Sequence, residues 1–144
     1  MKIIYSCYWG SYLAVVAALL HLDELNGCNC NDMIAEFHKI KQPGELYLMG
    51  KDDKGQEIYV LGAKNAGRVI KKTLKGISEI FGLGKYAVIF VDLNKHSNYY
   101  IYFGGLLIQK YNMQYIGMKL VTIGIKKVIK ELRKIVMEVK KKVG

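Results

Sequence analysis

The segment Lys2-Ile3-Ile4-Tyr5-Ser6-Cys7-Tyr8-Trp9-Gly10-Ser11, with the apolar run that follows from Tyr12 to about Leu25, decides how the rest of the chain is read. Its first part is short, β-branched and aromatic, which suits a strand. Gly10-Ser11 then allows a tight turn, and the apolar stretch beyond it has helical length and spacing. Ser11 is the expected N-cap, its hydroxyl accepting from first-turn amides that have no partner inside the helix. Asn26-Gly27 supplies a stop signal at the far end.

Working outward, a loop holding Cys28 and Cys30 leads to a predicted short helix, capped by Asn31 or Asp32, whose apolar face is Met33, Ile34, Phe37 and Ile40. Gln42-Pro43-Gly44 ends it. Glu45–Met49 and Glu57–Leu61 read as strands, and the turn formers between them, Gly50 to Gln56, predict an antiparallel hairpin. From Lys64 to Phe81 apolar residues recur at helical spacing opposite Lys64, Arg68, Lys71, Lys72 and Lys75, an amphipathic surface helix. Tyr86–Asp92 is the most continuous apolar run of strand length, the pattern of a central strand covered on both faces. A helix is expected from about Ser97 to Tyr111 despite Gly104-Gly105, then a short strand near Lys119–Thr122. A terminal helix follows, with Ile125, Val128, Ile129, Leu132, Ile135, Val136 and Val139 on one side and lysines on the other.

Strands alternating with helices, plus one hairpin, predict an α/β fold: a three-layer domain with a mostly parallel, mixed sheet and a long basic C-terminal helix. No linker divides residues 1–144, and a chain of that length can bury a core as one domain. With 51% hydrophobic residues and no short repeat, disordered, collagen-like and low-complexity classes are excluded. Three cysteines, Cys7, Cys28 and Cys30, argue against a secreted disulfide framework and for a reducing cytoplasm. Asp23 and Glu24 interrupt the first apolar run, so no signal peptide is expected, and no stretch is long enough for a spanning helix. The net charge is +10, of which Lys119–Gly144 carries +7, with nine Lys/Arg against two acids. That excess suits nucleic acid, an anionic surface or an acidic protein, or else it is the solvated side of a terminal helix.

The chain resembles a family of small uncharacterised proteins from spore-forming, mostly anaerobic bacteria, a domain of unknown function. The resemblance rests on Lys2-Ile3-Ile4-Tyr5-Ser6-Cys7-Tyr8 with Gly10 and the Ala-rich helix, and on Tyr47-Leu48-Met49-Gly50-Lys51-Asp52 with Gly55 and Glu57-Ile58-Tyr59-Val60-Leu61-Gly62. It extends weakly through Gly104-Gly105. Where the family pattern continues after Cys-Tyr with glycines, a histidine and serines, this chain has Trp9, Tyr12, Leu13 and Ala14, so no role of that histidine or those serines transfers. The resemblance implies no activity.

The candidate site is the first strand-turn-helix. A helix opening at the carboxyl edge of a sheet presents free amides and the positive end of its dipole, which suits phosphate or carboxylate, and open α/β sheets place ligands at that edge. Cys7, Gly10, Ser11, Tyr12 and Asp92 are the candidate residues, with Cys7 a weak candidate nucleophile through the dipole. The simpler readings stand beside these: an ordinary capped turn, a packed thiol, and Asp92 as a turn former. The turn lacks Gly-Lys-Ser/Thr and Gly-x-Gly-x-x-Gly, so Asp92 at the end of an apolar strand does not make a nucleotide hydrolase.

Cys28, Cys30, His21 and His38 lack zinc-knuckle spacing, and no metal is assigned. His21 and His96 have no serine or cysteine partner in sequence, so no catalytic triad follows. Tyr99, Tyr100, Tyr102, Tyr111 and Tyr115 fit packing or a subunit interface, as in a homo-oligomer, better than base stacking, since no RNA-binding signature accompanies them. Two functions follow. One is binding of a phosphorylated or otherwise anionic small molecule, with no cofactor assigned. The other is a non-catalytic interaction protein whose basic helices meet an acidic partner.

Overall fold

A computed structural model describes residues 1–9, 12–24, 44–84 and 87–144. In chain order the elements are β1 (Lys2–Cys7), α1 (Leu13–His21), β2 (Leu46–Lys51), β3 (Glu57–Gly62), α2 (Gly67–Ile80), β4 (Val88–Asp92), a 3-10 turn (Asn94–His96), α3 (Tyr99–Gln109) and α4 (Gln114–Val143). The four strands form one sheet in the order β2-β3-β1-β4, with β1 parallel to β3 and β4, and β2 antiparallel to β3. The mixed sheet, the hairpin and the long terminal helix are as the sequence predicts.

Alternation along the strands sorts the core onto two faces. Ile3, Tyr5, Cys7, Ile58 and Val60 face α1 and α4, meeting Val121, Ile125, Leu132, Val136 and Val139. Ile4, Leu61 and Phe90 face the other way, against Ile70 and Leu74 of α2. Helix α1 is apolar all round and buried from Leu13 to Leu19, as a helix wedged between a sheet and a second helix must be. The chain moves from β1 to β3 in one direction and from β3 to β4 in the other. With right-handed crossovers, that reversal sends α1 and α2 to opposite faces.

Two expectations are corrected. Lys119–Thr122 is helical, not a strand: Gly117, Val121, Gly124 and Ile125 are buried at helical spacing in α4, and packing against α3 overrides the β-branched composition. Tyr86–Asp92 does not supply the central strand. β4 is at the edge of the described sheet and β1 is in the centre. The apolar run reports that β4 has helices over both faces, which says nothing about its lateral neighbours. The predicted helix of residues 31–40 and the cysteines at 28 and 30 lie outside the described residues.

α3 and α4 form a close antiparallel pair made possible by glycine. A Cβ on Gly104 would stand 2.7 Å from the Gly117 carbonyl oxygen and 2.6 Å from Val121 Cγ2. At Gly76 of α2, nothing lies within 4 Å of the same atom. Alanine is worth about 1 kcal/mol more than glycine in a helix interior, so the two sites separate propensity from packing. Gly76→Ala is expected to raise the melting temperature slightly. Gly104→Ala is expected to destabilise by about 1–3 kcal/mol despite the same gain, because backbone cannot yield to the new methyl. Thermal melts followed by circular dichroism check the opposite signs.

Candidate functional site

The carboxyl ends of β1, β3 and β4 are tied into one edge by hydrogen bonds that continue beyond the strands. Ala63 N donates to Cys7 O (3.0 Å), Lys64 N to Tyr8 O (3.1 Å) and Leu93 N to Ser6 O (2.8 Å). Asn94 Nδ2 donates to the Lys64 carbonyl at 2.8 Å. Lys64 has φ +47°, a left-handed conformation at the point where the chain leaves β3 for α2. Between β1 and β3 the following helices diverge to opposite faces. Helices α1 and α2 thus both start from this one edge, on opposite faces of the sheet.

The sequence-predicted residues divide across the sheet. Cys7 and Tyr12 are buried on the α1 side and belong to its core. Helix α1 opens with Tyr12 in the capping position and no side-chain cap. Gly10 and Ser11 lie outside the described residues. Burial pushes the Tyr12 phenol up to about 12, opposed by its hydrogen bond with Gln109. Asp92 is paired in register with Ser6 and shares its side of the sheet, the α2 side. A Cβ on Gly67 would lie 2.9 Å from the Asp92 carboxylate, so the absent side chain lets the first turn of α2 rest against that anion. The helix dipole favours a negative group there. Asp92 Oδ1 also accepts from Asn94 N at 3.0 Å. The carboxylate thus occupies the opening of α2.

Lys64, Gly67, Arg68 and Asn94 belong to this edge and were not singled out by the sequence. The available signal was the second strand-to-helix joint: in a parallel sheet every such joint reaches the same edge. Ser6 Oγ is buried beneath it with no hydrogen-bond partner among the described residues. On the α1 side Tyr8, Trp9 and Tyr102 form an aromatic cluster with centroid separations of 4.8–6.0 Å, and a side chain at Gly105 would run into the Trp9 indole.

A second polar arrangement lies at the opposite, amino edge. The Tyr5 hydroxyl and His21 Nδ1 are 2.7 Å apart and buried, and His21 Nε2 is 3.4 Å from Asp52 Oδ2. Burial raises the Tyr5 phenol far above its usual range, so the hydroxyl keeps its proton. Because Nε2 is turned to the Asp52 carboxylate, which only accepts, the Tyr5 hydroxyl is the donor to Nδ1. Burial likewise holds His21 below 6.5, with Asp52 opposing. The neutral ring therefore carries its proton on Nε2, facing Asp52. Asp52 Oδ1 accepts from Lys54 N (3.0 Å) and Gln56 N (2.8 Å), which shapes the β2-β3 turn. This chain of bonds is a satisfied internal strut. No group of three or more potential metal ligands occurs among the described residues.

The family model described as "Protein of unknown function (DUF3189)" matches residues 2–141. No curated protein matches the chain, and no solved structure does.

The strut makes stability depend on pH with a definite sign. His21 resists protonation when folded but accepts a proton near 6.5 when unfolded. The unfolded chain therefore binds more protons below that value, and acidification destabilises the fold. The urea midpoint should fall between about pH 7 and pH 5, and His21→Gln should flatten that slope. Tyr5→Phe, which leaves Nδ1 buried without a donor, should cost about 1–3 kcal/mol at neutral pH.

Proposed function

We propose, for a chain that belongs to the DUF3189 family of proteins of unknown function, that it binds a phosphorylated or otherwise anionic small molecule at the carboxyl edge of the sheet, at the first strand-turn-helix. The observation that supports this reading is the common carboxyl edge of β1, β3 and β4, where α1 and α2 open on opposite faces. Because Asp92 already neutralises the opening of α2, the amides at the opening of α1 are the donors for the ligand. Gly10, Ser11 and Tyr12 supply them, with Cys7 beneath. Lys64 and Arg68, both exposed where the chain passes from β3 into α2, add the charge that attracts an anion. The buried position of Cys7 suits packing more than attack, so the reading is of binding, with no reaction assigned.

A ligand-shift melt tests it with inorganic phosphate, sugar phosphates and nucleotides. A ligand at a hundredfold excess over its Kd adds about 2.7 kcal/mol, several degrees for a chain of this size. Lys64→Asn keeps a residue that tolerates the left-handed backbone while removing the charge, and it should lower the shift. If none of these anions moves the melting temperature, the reading is lost.

A further inference from the structure

β4 has an unguarded edge. Among the described residues it pairs only with β1, in an unbroken register from Val88 to Asp92. Natural edges are commonly blunted by proline, a bulge or a charge pointing inward. Val88-Ile89-Phe90-Val91 has none of these. The Ala87 carbonyl and the Leu93 amide both bond toward β1, at 3.0 and 2.8 Å. By alternation, the peptide groups of Val88, Phe90 and Asp92 point to the open side.

That edge is the floor of a groove of about 730 Å³. α2 forms one wall with Arg68 and Lys71, and α4 forms the other with Ile135, Val139 and Lys142, while Lys95 closes the carboxyl end. Four Lys/Arg side chains stand there against two carboxylates, Asp92 and Glu138, and Asp92 is turned to the start of α2.

We infer that the open edge of β4, set between the cationic rim of α2 and the largely apolar wall of α4, with Lys95 at one end, is a docking groove for an acidic, extended peptide segment of another protein, which adds as a fifth strand. Three features select that occupant. The floor offers alternating main-chain donors and acceptors, the complement of a peptide strand. The α2 rim and Lys95 carry positive charge, so a second copy of this chain would bring like charges together at its own β4 edge. The α4 wall is apolar at Ile135 and Val139, which suits aliphatic side chains on one side of the incoming strand and not stacked bases. Arg68 and Asp92 border both this groove and the carboxyl edge, but the inference rests on the open side of β4 and does not depend on the anion reading.

The test is fluorescence anisotropy of the full chain with a labelled hexapeptide alternating Glu and Val. The Glu side would meet Arg68 and Lys71, and the Val side would meet Ile135 and Val139. Two further peptides separate the causes: one alternating Lys and Val, and the Glu-Val peptide N-methylated at alternate residues, which keeps its charge but loses the donors needed for strand addition. Binding by the first peptide alone is expected. It should weaken about tenfold or more in the exposed-site variant Lys71→Glu/Lys142→Glu. Unchanged binding of the N-methylated peptide would reduce the groove to nonspecific charge and overturn the inference. Equal binding of the Lys-Val peptide, equal displacement by an oligonucleotide, or no binding at all would overturn it too. Inorganic phosphate at matched ionic strength should leave the anisotropy unchanged, which separates strand addition from anion binding at the opening of α1; displacement by phosphate would overturn the inference.

Discussion

Ile3, Ile4, Tyr5, Ser6 and Cys7 are all buried because β1 is hydrogen-bonded along both edges and covered on both faces. A strand in that position cannot be joined to its parallel neighbours by hairpins. It needs crossover connections, and each crossover brings a helix across one face. The chain visits β3 on one side of β1 and then β4 on the other, so the two crossovers take opposite faces. From this one constraint come the three layers and the divergence of α1 and α2 at the carboxyl edge.

The same burial creates a polar problem and answers it. Tyr5 lies in the middle of the central strand and brings a hydroxyl into the core, while α1 ends in His21, also buried. Each satisfies the other at 2.7 Å. The remaining imidazole nitrogen reaches the aspartate that shapes the β2-β3 turn. One line of polar atoms therefore joins the central strand, the end of the first helix and the hairpin. A buried network of this kind specifies register only when every member has a partner. Its neutral histidine faces Asp52 with a proton, which distinguishes the strut from a site poised to take one up.

What the sequence made legible was whatever depends on near neighbours. The strand-turn-helix opening, the hairpin around Gly55 and the amphipathic α2 each show their own periodicity or turn chemistry. Lys119–Thr122 misled because Leu120-Val121-Thr122 has strand composition, whereas its conformation is decided by glycines at 104, 117 and 124 that let two helices close on one another. Tyr86–Asp92 misled because hydrophobicity measures how well the faces are covered. Edge position depends on which strands lie alongside, and no local pattern encodes that. The pairing of His21 with Tyr5 and Asp52 spans separations of 16 and 31 residues, and only topology brings them together. Cys7 and Asp92 were rightly read as ends of strands reaching one edge, but their side chains occupy opposite faces, since register alone settles which way an end residue points.

The terminal helix resolves the tension between the two sequence readings of its charge. Thirty residues of α4 run about 45 Å, and its apolar stripe is consumed in covering the sheet, with Leu132, Val136 and Val139 buried. Its lysines therefore cannot be regarded apart from where that stripe places them. Lys140 pairs with Asp23 at the end of α1, at 2.9 Å, and is partly neutralised there. Lys142, together with Ile135 and Val139, instead borders the open edge of β4. Glu138 of the same helix lies beside Lys142, and the other cations of that groove, Arg68, Lys71 and Lys95, come from α2 and the 3-10 turn. Charge beside a strand edge is one of the devices by which proteins limit edge-to-edge pairing, and here it comes from three separate elements of the chain and not from the terminal helix alone.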